Sequence, residues 1–146
     1  HGFADASNKA YSAVVYILYR TENEIYARLI ASKSRVASLK KLTIARLELM
    51  SATLLARLMH TVISALKQLE ITRTVHWLDS KTALCWIQNR GQWKQFVRHR
   101  VGAILQISEK LDWKHSPGEE NVVDIVRIGA LQLSQSEVWC MKLGMS

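Results

Sequence analysis

The sequence predicts a mixed α/β domain, a sheet with helices on its faces. Three observations predict it. Runs rich in β-branched and aromatic residues fill the first third of the chain, an apolar stripe of helical period follows Thr43, and strands then alternate with helices. An antiparallel start followed by alternation points to a mixed sheet.

Gly2 to Ser7 is a short first strand. Tyr11 to Tyr19 (Tyr-Ser-Ala-Val-Val-Tyr-Ile-Leu-Tyr) is a second, and Ile25 to Ser32 a third, joined by the polar turn Glu22-Asn23-Glu24. So short a turn favours antiparallel pairing. Leu47, Ser51, Leu54, Leu58, Val62, Ala65 and Leu69 recur at spacings of three and four, which predicts a helix of about 25 residues with Thr43 as its N-cap. Thr72 to Leu78 reads as a fourth strand closed by Asp79. Ser80 caps a short helix through Asn89. Phe96, Val97, Val101, Ile104 and Leu105 mark a further helix over Phe96 to Ser108. Leu111 to His115 is a short strand, Ser116 to Asn121 a turn, and Val122 to Leu133 a last helix.

Composition narrows the class. The 146 residues are 49% apolar, ordinary for a globular chain and too apolar for a disordered one. With one proline, six glycines, no repeat and no linker, one domain is expected over residues 1–146. A chain of this length buries roughly two-thirds of its unfolded surface and needs no disulfide staples. Cys85 and Cys140 form no framework, which fits a reducing compartment. No apolar run approaches the ~20 residues of a membrane span, so no membrane partner is expected. No secretory leader pattern is present, and a start at His1 reads as a piece of a longer chain. Twenty Lys and Arg against twelve Asp and Glu leave a formal charge of +8, which favours a polyanion partner without naming a reaction.

The acids are more informative. Only four are aspartates: Asp5, Asp79, Asp112 and Asp124. Asp5 lies on the first strand, Glu48 early on the long helix, Asp79 at the end of the fourth strand, and Asp124 at the start of the last helix. Asp112 reads as a turn residue. Taken singly, each is explained by a cap, a turn or a favourable charge in a helix's first turn. Taken as a set, carboxylates converging from separate elements repel one another unless a cation lies between them. Mg is held by a few carboxylates together with water and phosphate oxygens. Two such ions about 4 Å apart activate a water and stabilise the leaving oxygen of a phosphodiester.

At this point the residues resemble a known family. His1-Gly2-Phe3-Ala4-Asp5-Ala6-Ser7 resembles the start of the ribonuclease H domain in reverse-transcriptase polyproteins. Ser32-Lys33-Ser34-Arg35-Val36-Ala37, Leu47-Glu48-Leu49-Met50, and Trp77-Leu78-Asp79-Ser80 are similar to the BEL/Pao group of LTR retrotransposons. So are Phe96-Val97, Arg100-Val101 and Trp113-Lys114-His115-Ser116-Pro117-Gly118 with Asn121 and Asp124. The similarity runs in order along nearly the whole chain.

The resemblance implies a ribonuclease H-like fold, a five-stranded mixed sheet with its first strand central and helices at its flanks. It implies two Mg ions, with Mn as a substitute. Asp5 would bridge them, Glu48 and Asp79 would complete the ion near the leaving oxygen, and Asp124 would hold the ion carrying the nucleophilic water. His115 would assist proton transfer or product release; read without the resemblance, it is a strand-end histidine. The implied reaction is hydrolysis of the RNA strand of an RNA–DNA hybrid. The implied partners are that hybrid and the reverse-transcriptase domain of the same polyprotein, and the implied location is cytoplasmic, within a virus-like particle. Hybrid recognition would use 2′-hydroxyl and backbone contacts rather than base edges. Candidates beside the acids are Ser7, Asn8, Ser34, Arg35 and Ser80. A second, basic group comprises Arg90, Lys94, Arg98, His99 and Arg100 with Trp93; a solvated helix face explains it equally well.

The chain departs from the family pattern around Asp124. Asn121-Val122-Val123-Asp124 stands where Asn-Pro-Ala-Asp is usual, and of the Ser-Arg-Gly that follows only Arg127 and a displaced Gly129 remain. These changes leave open a decayed or co-opted module that binds nucleic acid or has a structural role without cutting. An integrase or transposase core fits less well, because Glu48 precedes Asp79 in the chain.

Overall fold

A computed structural model describes residues 1–38, 41–89 and 91–116. Five strands and three helices follow one another: β1 Gly2–Ala6, β2 Ala10–Arg20, β3 Ile25–Val36, α1 Ile44–Ala65, β4 His76–Leu78, α2 Lys81–Gln88, α3 Gln95–Ile107 and β5 Trp113–His115. The strands form one sheet in the order β3-β2-β1-β4-β5. The pairs β1–β2 and β2–β3 are antiparallel, whereas β1–β4 and β4–β5 are parallel. The expected mixed five-stranded sheet with a central first strand is therefore present.

The face that meets α1 is set by register and by small residues. Ala4 of β1 pairs with Ala13 of β2, and Gly2 pairs with Val15. A Cβ at Gly2 would lie 2.5 Å from Leu55 Cδ1 and 2.7 Å from Met59 Cε, so the missing side chain lets the helix approach the central strand. Ala13, Val15, Leu49, Ala52, Leu55 and Ala56 are almost fully buried at this contact. Each large apolar side chain removed from water contributes roughly 1.5–3 kcal/mol before entropy is counted. On the opposite face, Phe3 stacks on Trp77 and meets Tyr16 edge-on.

The helix starts are capped as the sequence predicts. The Thr43 hydroxyl accepts from the Arg46 N–H and the Ser80 hydroxyl from the Ala83 N–H. Beyond α2, the Gln88 side chain donates to the Trp113 carbonyl at 2.8 Å, which ties that helix to β5. Trp113 is completely buried.

Several boundaries differ from expectation. The third strand continues past Ser32 to Val36, because Lys33, Ser34 and Arg35 find backbone partners in Ala13, Ser12 and Tyr11. An edge strand tolerates such charged residues and is protected by them. A bulge between Val15 and Tyr16 leaves Ile30 without an opposite residue. The fourth strand is only His76–Leu78, matching the three β1 residues that pair with it. Lys110–Asp112 forms a 3-10 turn, so the fifth strand starts at Trp113. The long helix ends at Ala65, before Leu69 of the apolar stripe. The expected last helix, the Pro117-containing turn after Ser116, Arg90, Asp124 and Cys140 lie outside the described residues.

Candidate active site

Asp5 and Asp79 emerge at the same end of neighbouring parallel strands. Asp5 is the penultimate residue of β1, and Asp79 is the first residue after β4. This is also where the sheet order reverses, with β2 on one side of β1 and β4 on the other. Open α/β sheets form their clefts at the carboxyl ends of strands at such a point. Glu48 reaches the same place from the first turns of α1.

Oxygens of Asp5, Glu48 and Asp79 all lie within 4.8 Å of one another. Their environments differ. Asp5 and Asp79 are exposed, whereas Glu48 is buried, with 5% of its surface accessible. Its Oε2 has no hydrogen-bond partner among the described residues. Burial first, then the charges of Asp79 and Asp5, push the Glu48 carboxyl up to about 8; the Ala6 N–H opposes the rise. Asp5 is also raised, by burial and then by Asp79, again against an Ala6 N–H. Three carboxylates without a counter-cation thus resist shared ionisation.

His115 closes β5 beside β4, and its Nε2 lies 3.2 Å from the Asp79 carbonyl oxygen. His115 thus lies against the backbone of Asp79, one of the three clustered acids. The Ser116 N–H donates to the Leu78 carbonyl at 2.7 Å, fixing the backbone just after the histidine.

The expected nucleic-acid contacts have varied surroundings. The Ser7 hydroxyl closes the β1–β2 turn, accepting from the Lys9 and Ala10 N–H groups and bonding to the Ala10 carbonyl. Asn8 is exposed in that turn. Ser34 and Arg35 are exposed on β3, with Ser34 in the same cross-strand row as Ser12 and Asp5. Ser80 caps α2. Trp93 packs against the core cluster. Lys94 and Arg98 are exposed at the start of α3. Arg100 stacks 3.8 Å above the Phe96 ring centroid, and Arg46 lies 5.1 Å from it.

Two features were missed in the sequence. Lys33 and Arg57 face one groove, a proximity that only the longer β3 reveals. His76 is buried against Trp113, with ring centroids 4.4 Å apart and Nδ1 unpartnered. Its only sequence signal is a polar residue inside a predicted strand.

The sheet order, together with carboxylates from the first strand, the first helix and the end of the fourth strand, defines a ribonuclease H-like domain. A family model described as the Pao retrotransposon-like RNaseH-like domain matches residues 1–80, which cover β1 to β4 and these three acids, and the chain belongs to that family. No curated protein matches it.

Proposed function

We propose that the chain is a metal-dependent endonuclease that hydrolyses the RNA strand of RNA–DNA hybrids during reverse transcription. It would act as one domain of a longer polyprotein, beside its reverse-transcriptase domain, in the cytoplasm within a virus-like particle. The observation that carries this reading is the convergence of Asp5, Glu48 and Asp79 in a Pao-type ribonuclease H-like fold.

The donor set fits a hard divalent cation. All three groups offer oxygen, and among the described residues the buried Glu48 Oε2 has no hydrogen-bond partner, as an oxygen kept for a cation would. Asp5, Glu48 and Asp79 would hold Mg, or Mn in its place, with Asp124 completing the set for two ions. When bound, such ions activate water and stabilise the leaving oxygen of the phosphodiester. The protein orients the scissile phosphate through polar groups beside the acids: Asn8, Ser34 and Arg35. Ser7 and Ser80 contribute by fixing the turn and the helix start next to Asp5 and Asp79. His115 is positioned to move a proton beside Asp79, while Lys94 and Arg98 offer charge to the backbone and Trp93 supports the start of α3.

The test is cleavage of an end-labelled hybrid by the full chain in Mg or Mn, beside Asp79→Asn. Cleavage by the unmodified chain and its loss in the variant are expected. A chain that binds the hybrid but leaves it intact in both metals would be a non-catalytic module, the reading that the valines before Asp124 favour.

A further inference from the structure

A groove of about 570 Å³ runs along the α1 face, apart from the acid cluster. Its floor is a stripe of α1 that includes Leu54, Arg57 and Leu58. One wall is the β2–β3 pair and the other is α3. Register explains the first wall. Lys33 and Arg35 pair with Ala13 and Tyr11, whose β1 partners are Ala4 and Ala6, so they share the sheet face that carries Gly2 against α1.

The lining is one-sided in charge. Lys33, Arg35, Arg57 and Arg100 face the groove, with His99 beside them and no carboxylate among its described lining residues. Stacking on Phe96 holds Arg100 in place. Cations gathered on walls with no acid among them repel one another, and a polyanion relieves that repulsion.

Shape decides which polyanion. A cavity of this size accepts a ligand of small-molecule width. That volume suits a short stretch of a single strand better than the broader cross-section of a duplex. The apolar floor and the Tyr11 ring offer surfaces for bases, which is the combination that single-strand grooves use. The groove also starts at the right place, since Arg35 lies in one cross-strand row with Tyr11 and Ala6, next to Asp5. Arg57 lies about 13 Å farther along α1 than Glu48 at the usual helical rise.

We infer that this groove binds single-stranded nucleic acid, the strand leaving the hybrid beside the acid cluster. The inference rests on the proposed function for its setting, but it is read as metal-free binding rather than cleavage, so either can fail alone. The experiment titrates the full chain into a labelled oligodeoxythymidine in EDTA over a series of salt concentrations. Lys33→Ala/Arg57→Ala is compared with Lys67→Ala/Lys110→Ala, whose lysines lie outside the lining. Both replaced groove residues are exposed, and thermal melting checks that each variant folds. The groove variant is expected to bind more weakly, with a salt dependence shallower by about 1.4, roughly 0.7 for each lost phosphate contact. The comparison variant is expected to keep the original slope. Equal slopes in all three proteins would overturn the inference. So would equal weakening by both variants, matching weakening on a blunt duplex, or full competition by thymidine monophosphate at the same nucleotide concentration.

Discussion

His115 Nε2 lies 3.2 Å from the main-chain oxygen of Asp79, so the end of β5 is anchored to the residue that closes β4. The histidine is thereby held at the backbone of one clustered acid without being a member of the cluster. His115→Ala is expected to slow hybrid cleavage on the order of 10²-fold, the lower end for loss of a proton-transfer group. The contact is solvent-facing, so the melting temperature should barely move. Single-turnover cleavage rates check the role, and a rate equal to that of the unmodified chain would reduce His115 to a structural residue.

Glu48 links stability to both pH and metal. Its folded value of about 8 lies above the ordinary 4.5, so between these values the folded chain holds a proton that the unfolded chain releases. Without cations, stability should therefore fall as pH rises from about 4.5 to 8. Glu48→Gln should flatten that decline. Mg should raise the melting temperature of the unmodified chain at alkaline pH and do little for the variant. Thermal melts in EDTA and in Mg would show this, and an equal Mg effect in both proteins would remove Glu48 from the metal site.

His76 works in the opposite direction. Burial lowers its imidazole to about 3 from 6.5. The folded chain keeps the ring neutral while the unfolded chain takes up a proton below 6.5. Stability is thus full above 6.5 and declines as pH falls towards 3, by up to about 1.4 kcal/mol per pH unit from this group. His76→Phe keeps an aromatic ring beside Trp113 and should make unfolding less acid-sensitive. Denaturant titrations at several acidic pH values provide the measurement.

Gly2 has a steric role. Gly2→Ala places a methyl group against Leu55 and Met59 and should cost about 1–3 kcal/mol by overpacking. Because the nearest atoms are side-chain ends, Leu55→Ala should relieve the clash. The double variant should then be more stable than the sum of the two single losses, a coupling that a double-mutant cycle reads directly. Simple additivity would show that the contact relaxes without cost.

Much of the fold was legible because its elements follow simple periods. The long apolar stripe from Leu47 marked α1, and β-branched runs marked β2 and β3. Thr43 and Ser80 announced their helices through cap chemistry. The three acids were different. Asp79 beside a capping serine and Glu48 beside an apolar stripe each have ordinary local explanations; they gain meaning only as a set with Asp5, and the family resemblance gives that set its roles. Lys33 to Val36 was hidden because an edge strand needs no apolar alternation; its backbone partners on β2 decide its conformation. Ser7 reads as a substrate contact, and its exposed hydroxyl also closes the β1–β2 turn, a local role that the sequence does not announce. Trp93 reads as part of a basic edge, and it is also partly buried against the core.

The pairing of Gly2 with His76 has a kinetic consequence. β1 is the middle strand, yet one of its two edges is completed by residues that lie beyond α1 in the chain. The hairpins β1–β2 and β2–β3 can zip locally, but β4 must close a long loop before it docks. Such non-local pairing slows folding, because chain entropy is lost before contacts compensate for it. In that interval the central strand is itself an open edge, able to pair with another nascent chain. α1, which covers the same strand through Leu55 and Met59, is synthesised before β4 and can shield one face of that edge while it waits.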